Sequence, residues 1–351
     1  MAVAGGDQEV SLHVIARDAA VLEELKQQFE SADGYSCSLS CHDPSSCPHL
    51  DAPGGFDCAG FSAALSTRQM GRLLLSTRSI ASTQEFMRRH AAVLPEGSVI
   101  VADQQTSGKG RGGNQWTSPD GCLMFTAGRR LKVPGSQAPF INYLTCLAVV
   151  RGVADAAAPW LKGAAPDVRI KWPNDIYSGG LKIGGALIHT TWQTDRFSVL
   201  AGIGLNVSNR QPTTCLEEVL ARQAASAAEQ GTAAPEVVLS RGAVLAHVLN
   251  HLERCYDEFE ARGFAGLEAS YLESWMHSGQ QVEVEAGTSA AAAPGEASAA
   301  DAAQRVRLTI RGLSEHGFLL AVDAAGGRWE LTPDGNSLDM LAGLIRRKLP
   351  G

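Results

Sequence analysis

Residues 105–121 read Gln-Thr-Ser-Gly-Lys-Gly-Arg-Gly-Gly-Asn-Gln-Trp-Thr-Ser-Pro-Asp-Gly, a run in which glycines alternate with cations ahead of a tryptophan. Gly108, Gly110, Gly112 and Gly113 let backbone N–H groups come close to a ligand, as phosphate binding requires. Lys109 and Arg111 add positive charge, and a guanidinium can hold a phosphate through two hydrogen bonds. Trp116 offers an indole either to cover a flat ligand or to fill a core. The chemistry indicated is anion binding. The alternative is a surface loop carrying two ordinary cations.

Three more segments follow in order. Lys171-Trp172-Pro173-Asn174-Asp175 sets a lysine shortly before a proline, which keeps the preceding backbone extended. Its last two residues either orient a ligand or close a turn through their own side chains. Lys182, in Gly180-Leu181-Lys182-Ile183-Gly184-Gly185, is a point charge entering an apolar strand. Gly202-Ile203-Gly204-Leu205-Asn206-Val207 presents glycines that make a flat wall, with an amide at Asn206.

The four segments together, over roughly residues 72–349, resemble the biotin–protein ligase family, also called holocarboxylase synthetases, and Arg-Gly-Gly-Asn-x-Trp looks like its eukaryotic branch, which carries no DNA-binding domain. The resemblance implies that biotin's carboxylate attacks ATP to give biotinyl-5′-AMP, with Mg²⁺ accompanying the nucleotide. A lysine on a biotin carboxyl carrier domain, of acetyl-CoA carboxylase or another biotin-dependent carboxylase, then takes the biotinyl group. By the same resemblance Arg111, Lys182 and Lys171 carry the chemistry. Ser82, Thr83, Gln105, Gly108, Arg111, Trp116, Lys182, Gly185 and Gly202 match the biotin side. Lys109, Gly110, Arg111, Lys171, Asn174, Asp175 and Asn206 match the ATP and adenylate side. Asp175 is a candidate for Mg²⁺ or for deprotonating the incoming lysine, and no structural metal site is expected. Where bacterial relatives carry extra arginines, this loop has Gly112, Gly113, Asn114 and Gln115, which argues against a dimer-linked or DNA-linked role for it.

Two enzymatic or regulatory alternatives compete. A lipoate–protein ligase shares the fold and the lysine but lacks both the Arg-Gly-Gly-Asn-x-Trp loop and Lys-Trp-Pro-Asn-Asp. A biotin-responsive regulator would need either a basic helix-turn-helix before Arg72 or a catalytically silent site, and the cations are intact.

These residues need elements to position them. Leu73-Leu74-Leu75, Ser98 to Ala102, Leu123 to Ala127 and Val168 to Trp172 read as strands, and Ile183 to Trp192 with Phe197 to Val207 as a hairpin. Ser82-Thr83-Gln84-Glu85 reads as a capping box opening a helix. Residues 142–157 are apolar at helical spacing, and Ser240 caps a helix that Gly263 ends. Residues 221–235, rich in Ala, Gln and Glu, read as a connection. Gln281 to Glu285, Arg305 to Gly312, Gly317 to Val322 and Gly327 to Leu331 alternate like strands of a small barrel. Between the first two lies an Ala/Ser/Gly/Pro tract, 286–303, with no packing pattern, read as a disordered insertion in a hairpin loop. The fold class expected is α/β (α+β): a mixed-sheet catalytic domain of the biotin/lipoate ligase type, residues 71–275, and an SH3-like C-terminal barrel, 276–351.

Residues 1–70 read as an acidic, partly disordered extension with a strand at Leu12–Ile15 and a helix from Ala19 to Phe29. They hold ten acids and three bases, which accounts for the whole net charge of −7. Such a segment is unlike a basic DNA-binding arm or an Arg-rich transit peptide, and no apolar signal core follows Met1. A cytoplasmic location is expected, with an organellar form left open, and a monomer or weak homodimer. A mean hydropathy of −0.06, with no run near the ~20 apolar residues of a membrane span, points away from a membrane. Cys37, Cys41, Cys47 and Cys58, with His42 and His49, lack zinc-ligand spacing. Cys122, Cys146, Cys215 and Cys255 look like core residues.

Overall fold

Strands whose two faces are both buried read as continuous apolar runs, and Leu73-Leu74-Leu75 shows this directly. Leu73 and Leu75 face one core cluster with Phe86 and Met87, while Leu74 faces the other with Val99, Val101 and Leu123. The computed structural model describes residues 10–16, 37–42, 55–227, 236–285, 305–332, 336–339 and 344–347. Among these a nine-stranded mixed sheet runs in the order β2-β1-β3-β4-β5-β9-β8-β7-β6. Its strands are β1 (Val10–Ala16), β2 (Cys37–His42), β3 (Leu73–Ile80), β4 (Val99–Gln105), β5 (Cys122–Leu131), β6 (Arg169–Lys171), β7 (Asp175–Ser178), β8 (Leu181–Gln193) and β9 (Arg196–Asn206).

Two long helices cover one face: α3 (Phe140–Leu161) and α5 (Arg241–Arg262). They cross closely, since a Cβ at Gly152 would lie 2.6 Å from Cα of Val248. Ser240 caps α5 by accepting from Ala243 N, and Gly263 closes it. Helix α3 is longer than the apolar stretch expected and corrects the view that no segment has membrane-span proportions: an 18-residue window of its 22 residues has a mean hydropathy of 1.3, but most of its apolar side chains are buried in the core. Helix α2 (Thr83–His90) covers the opposite face. Ser82 forms its half of the capping box, accepting from Glu85 N at 3.4 Å, but Glu85 turns to Arg88 and Arg89.

The expected division at residue 71 falls inside one structural unit. Strand β1 is hydrogen-bonded antiparallel to β3, with Val14 opposite Leu75, and extends the main sheet. Helix α1 (Cys58–Ala64) sits on α5 through Asp57, which bonds Gly60 N and Ser240 Oγ. Buried Glu253 accepts from the backbone N–H groups of Arg68, Gln69 and Met70, pinning that stretch. The expected helix at 19–29, Cys47 and His49 lie outside the described residues.

Residues 221–226 are helical rather than a connection, closing α4 (Leu216–Ser226); 228–235 lie outside the described residues. After α6 (Glu268–Ser274) comes a second sheet in the order β13-β12-β11-β10-β15-β14. Its strands are β10 (Gln281–Glu285), β11 (Arg305–Leu313), β12 (Leu319–Asp323), β13 (Arg328–Leu331), β14 (Asn336–Asp339) and β15 (Leu344–Arg347), a small module compatible with the SH3-like expectation. Glu285 pairs with Arg305, so the tract 286–303, itself outside the described residues, joins two adjacent strands. Val282, Val284, Leu308, Ile310 and Leu319 share one hydrophobic cluster with α3 and α5. Cys122, Cys146, Cys215 and Cys255 are buried thiols, as expected of core residues, and Cys58 is buried as well.

Candidate active site

The hairpin β8–β9 forms the floor of a cavity of about 400 Å³. Register sets its layout: Gly185 pairs with Gly204, and Leu187 with Gly202, so two rungs are about 7 Å apart. Beside Gly202 lies Gln84 of α2, and beside Gly185 lie Asp175 Oδ1 and Lys182 Cε. The N-terminus of α2 and the Lys171–Lys182 region therefore border one space from two ends.

At the α2 end, Thr83 donates to Gln105 Oε1 from its backbone N at 2.8 Å and its hydroxyl at 3.2 Å, and the hydroxyl also meets Thr126 Oγ1 at 2.9 Å. With Oε1 occupied in this way, Gln105 keeps its amide N–H donors for a ligand carbonyl. Ser82, Thr83 and Gln105 all line the cavity at a helix N-terminus, where an acceptor ligand is favoured.

At the other end, Lys182 Nζ lies 2.6 Å from Asp175 Oδ1 and 5.9 Å from the Trp116 ring centroid. Lys171 Nζ contacts the Tyr177 hydroxyl at 3.4 Å. Asn174 Nδ2 is committed to Ala186 O at 2.8 Å, so that amide group builds the wall. The lining holds four cations, Lys109, Arg111, Lys171 and Lys182, against one carboxylate, Asp175. In a chain of net charge −7 this is a locally positive cleft suited to an anionic ligand.

The glycine loop closes over the floor. Gly110 N donates to Asn114 O at 2.6 Å and Trp116 N to Gly108 O at 3.0 Å, while Gly112 and Gly113 turn at φ +67° and +83°. These positive φ values are what makes a glycine pair fit there. A Cβ at Gly204 would lie 2.5 Å from Cε2 of Trp116, so the half-buried indole rests directly on β9 backbone.

Two expected residues stand apart from the lining. Asn206 is 4% exposed and donates to Thr214 O at 3.0 Å and Thr213 Oγ1 at 3.3 Å, so in this structure it braces the turn after β9. Gly108 packs against Trp116, where a Cβ would lie 2.7 Å from its carbonyl oxygen. The structure brings in residues that sequence reading missed. Gln84 bridges to Leu187 O at 2.7 Å, and it stood in plain view inside the capping run. Trp172 Nε1 donates to Tyr143 Oη at 2.9 Å, and Trp172 N donates to His277 Nε2 at 2.9 Å. Burial pushes the Tyr143 phenol up to about 12, so it stays a neutral donor and acceptor. Nothing local marks Tyr143 or His277 in the sequence.

The family model described as the biotin/lipoate A/B protein ligase family matches residues 76–206. Biotin–protein ligase 2 of Arabidopsis thaliana is 39% identical over 300 residues, covering 85% of this chain and 84% of that protein. The human biotin–protein ligase is 32% identical over 292 residues, covering 81% of this chain and 36% of its own length. Among solved structures, the biotin protein ligase from Aquifex aeolicus in complex with biotin and ATP superposes with a TM-score of 0.51 at 23% identity, covering 80% of this chain and 100% of that one, a likeness of fold. The chain belongs to the biotin–protein ligase family, in the eukaryotic-type group that these plant and human proteins represent.

Proposed function

We propose that this cavity activates biotin with Mg·ATP and that the chain passes the biotinyl group to a lysine of a biotin carboxyl carrier domain. The observation that carries the reading is the convergence of Arg111, Lys171 and Lys182 on one cavity with a single carboxylate. In the first step an oxygen of biotin's carboxylate bonds to the α-phosphorus, and the α–β bridging oxygen leaves with pyrophosphate. An anion must approach a polyanion, and preorganised cations lower that barrier most. Arg111 is assigned to the α-phosphate, Lys171 to the nucleotide phosphates, and Lys182 to the space shared by both reactants. Ser82, Thr83 and Gln105 hold the neutral ring system at the other end.

Among the described residues no three His, Cys, Asp or Glu side chains cluster to hold a metal. Asp175, the one carboxylate lining the cavity, is the protein group that would hold an Mg²⁺ ion arriving with the triphosphate. Bound there, the ion neutralises phosphate charge. In the second step the acceptor amine bonds to the acyl carbon, the acyl–phosphate oxygen bond breaks, and AMP leaves. Asp175 is the lining carboxylate that can take the amine's proton, and Trp116 covers the intermediate until the carrier arrives.

The test is pyrophosphate release by the purified chain. Release should require biotin and Mg·ATP together, and an apo carrier domain should then gain the mass of one biotinyl group. Equal release with lipoate in place of biotin would overturn the assignment.

A further inference from the structure

The segment Lys171–Asp175 contributes five consecutive residues to the cavity, yet β6 is only three residues long and its partner β7 only four. What fixes it comes from the start of the C-terminal module. Ile170 forms a parallel bridge with Trp275, and Met276 N donates to Ile170 O at 3.0 Å. A parallel ladder would next take the Trp172 N–H onto a backbone carbonyl of the partner strand. Instead that N–H is received by the side chain of His277, at 2.9 Å from Nε2. The imidazole is fully buried, edge-on to Trp275 with ring centroids 5.4 Å apart, and its Nδ1 lies 2.8 Å from Gln280 Oε1. An amide oxygen only accepts, and Nε2 is itself accepting, so the proton resides on Nδ1. Gln280 thus fixes the tautomer that the Trp172 bond requires.

We propose that His277 is a positioning residue for the reaction: its neutral imidazole anchors the Trp172 backbone and thereby sets where Lys171 and Asp175 stand in the cavity. The proposal rests on the reading of that end of the cavity as the nucleotide end. It predicts a split effect, because Lys171 and Asp175 share the anchored segment whereas Ser82, Thr83 and Gln105 belong to α2 and β4. The second anchor, Tyr143 on the Trp172 indole, remains in place and keeps the segment from collapsing.

The experiment compares the full chain with His277→Leu, which has no acceptor, and His277→Gln, whose side-chain oxygen reaches the Nε2 position. Steady-state pyrophosphate release should show the Leu variant with KM for Mg·ATP raised about tenfold, as expected for a loss of ~1.4 kcal/mol, and KM for biotin within twofold. The Gln variant should recover most of that loss. Selective ¹⁵N-tryptophan labelling supplies a readout independent of activity. Amide exchange at Trp172 should be at least tenfold faster in the Leu variant than in the Gln variant. If the Leu variant does not fold, the wild-type and Gln chains decide: slow Trp172 exchange in both supports the anchor, and fast exchange in the wild type overturns it. KM values for ATP and biotin rising together in folded Leu protein also overturn it. Absence of biotin-dependent release in the wild type would instead sink the functional reading, while the exchange measurement still reports on the anchor.

Discussion

Lys182 Nζ and Asp175 Oδ1 stand 2.6 Å apart across the β7–β8 turn, half-exposed in a cavity whose other charged lining residues are the cations Lys109, Arg111 and Lys171. The pair ties the one acid of the site to the lysine assigned to the reacting oxygens. Removing either partner therefore changes the charge felt by the other.

Lys182→Ala should lower the adenylation rate by on the order of 10²–10³-fold, the effect of losing one preorganised stabilising charge. It also leaves Asp175 facing the triphosphate unpaired. Adding Asp175→Asn to that variant should accordingly restore part of the ATP affinity. A double-mutant cycle in KM for ATP measures the coupling, and strictly additive effects would show that the pair acts independently.

Arg111→Gly should cost on the order of 2–4 kcal/mol in adenylation, from the loss of a charge-assisted bidentate contact. Biotin binding, measured by calorimetry without nucleotide, should change much less. The accompanying sign is leakage of biotinyl-AMP, seen as labelling of bystander lysines. An unchanged rate would reduce the loop to a structural role.

Gly204→Ala should push the Trp116 indole off β9, because the new Cβ would sit 2.5 Å from Cε2 and the strand is held on both sides by β5 and β8. Overpacking of this kind costs roughly 1–3 kcal/mol. Trp116 lies in the glycine loop, outside the strands and helices, so the loss should appear as a KM increase of about tenfold or more and hardly in the melting temperature. A variant with normal KM and a lowered melting point would place Trp116 in the core instead.

Burial pushes His277 down to about 4, with the Gln280 hydrogen bond opposing and the Lys171 charge assisting. Its neutral form is thus favoured by folding. The stability it contributes is fully present above the usual histidine value near 6.5, is lost as pH falls toward 4, and is lost no further below that. The span amounts to about 3 kcal/mol at most. Urea unfolding at pH 7 and pH 4.5 should show a smaller acid loss in His277→Gln than in the wild type. Equal losses would assign the acid sensitivity to other groups.

Replacing the tract 286–303 with a short Gly-Asn turn should leave pyrophosphate release intact and shift the melting temperature little. The strands it joins already pair at Glu285 and Arg305, and loop-closure entropy changes only slowly with length. Loss of transfer to the carrier domain with adenylation preserved would identify the tract as a docking element.

Much of this protein is legible residue by residue. The glycine–cation loop, the Ser82 cap, the helix from Ser240 to Gly263 and the β8–β9 hairpin depend on neighbours a few positions away, because caps, turns and periodicity are local in their physics. The family motifs likewise named most of the lining. The short strand β7, α6 and the last two strands left no clear pattern, being four to seven residues long. What tertiary structure alone decided is which distant groups meet. Thr83 finds Gln105 across 22 positions, and Trp172 finds His277 across 105. Asn206, inside a matching motif, turns to Thr214 rather than into the cavity. Strand register places Gly204 under Trp116 and Gly185 beside Asp175, and a shift of one residue would exchange the two faces. Residue types and local spacing specify the chemistry available; the through-space pairings that aim it come from packing a whole sheet against its helices, which no local pattern encodes.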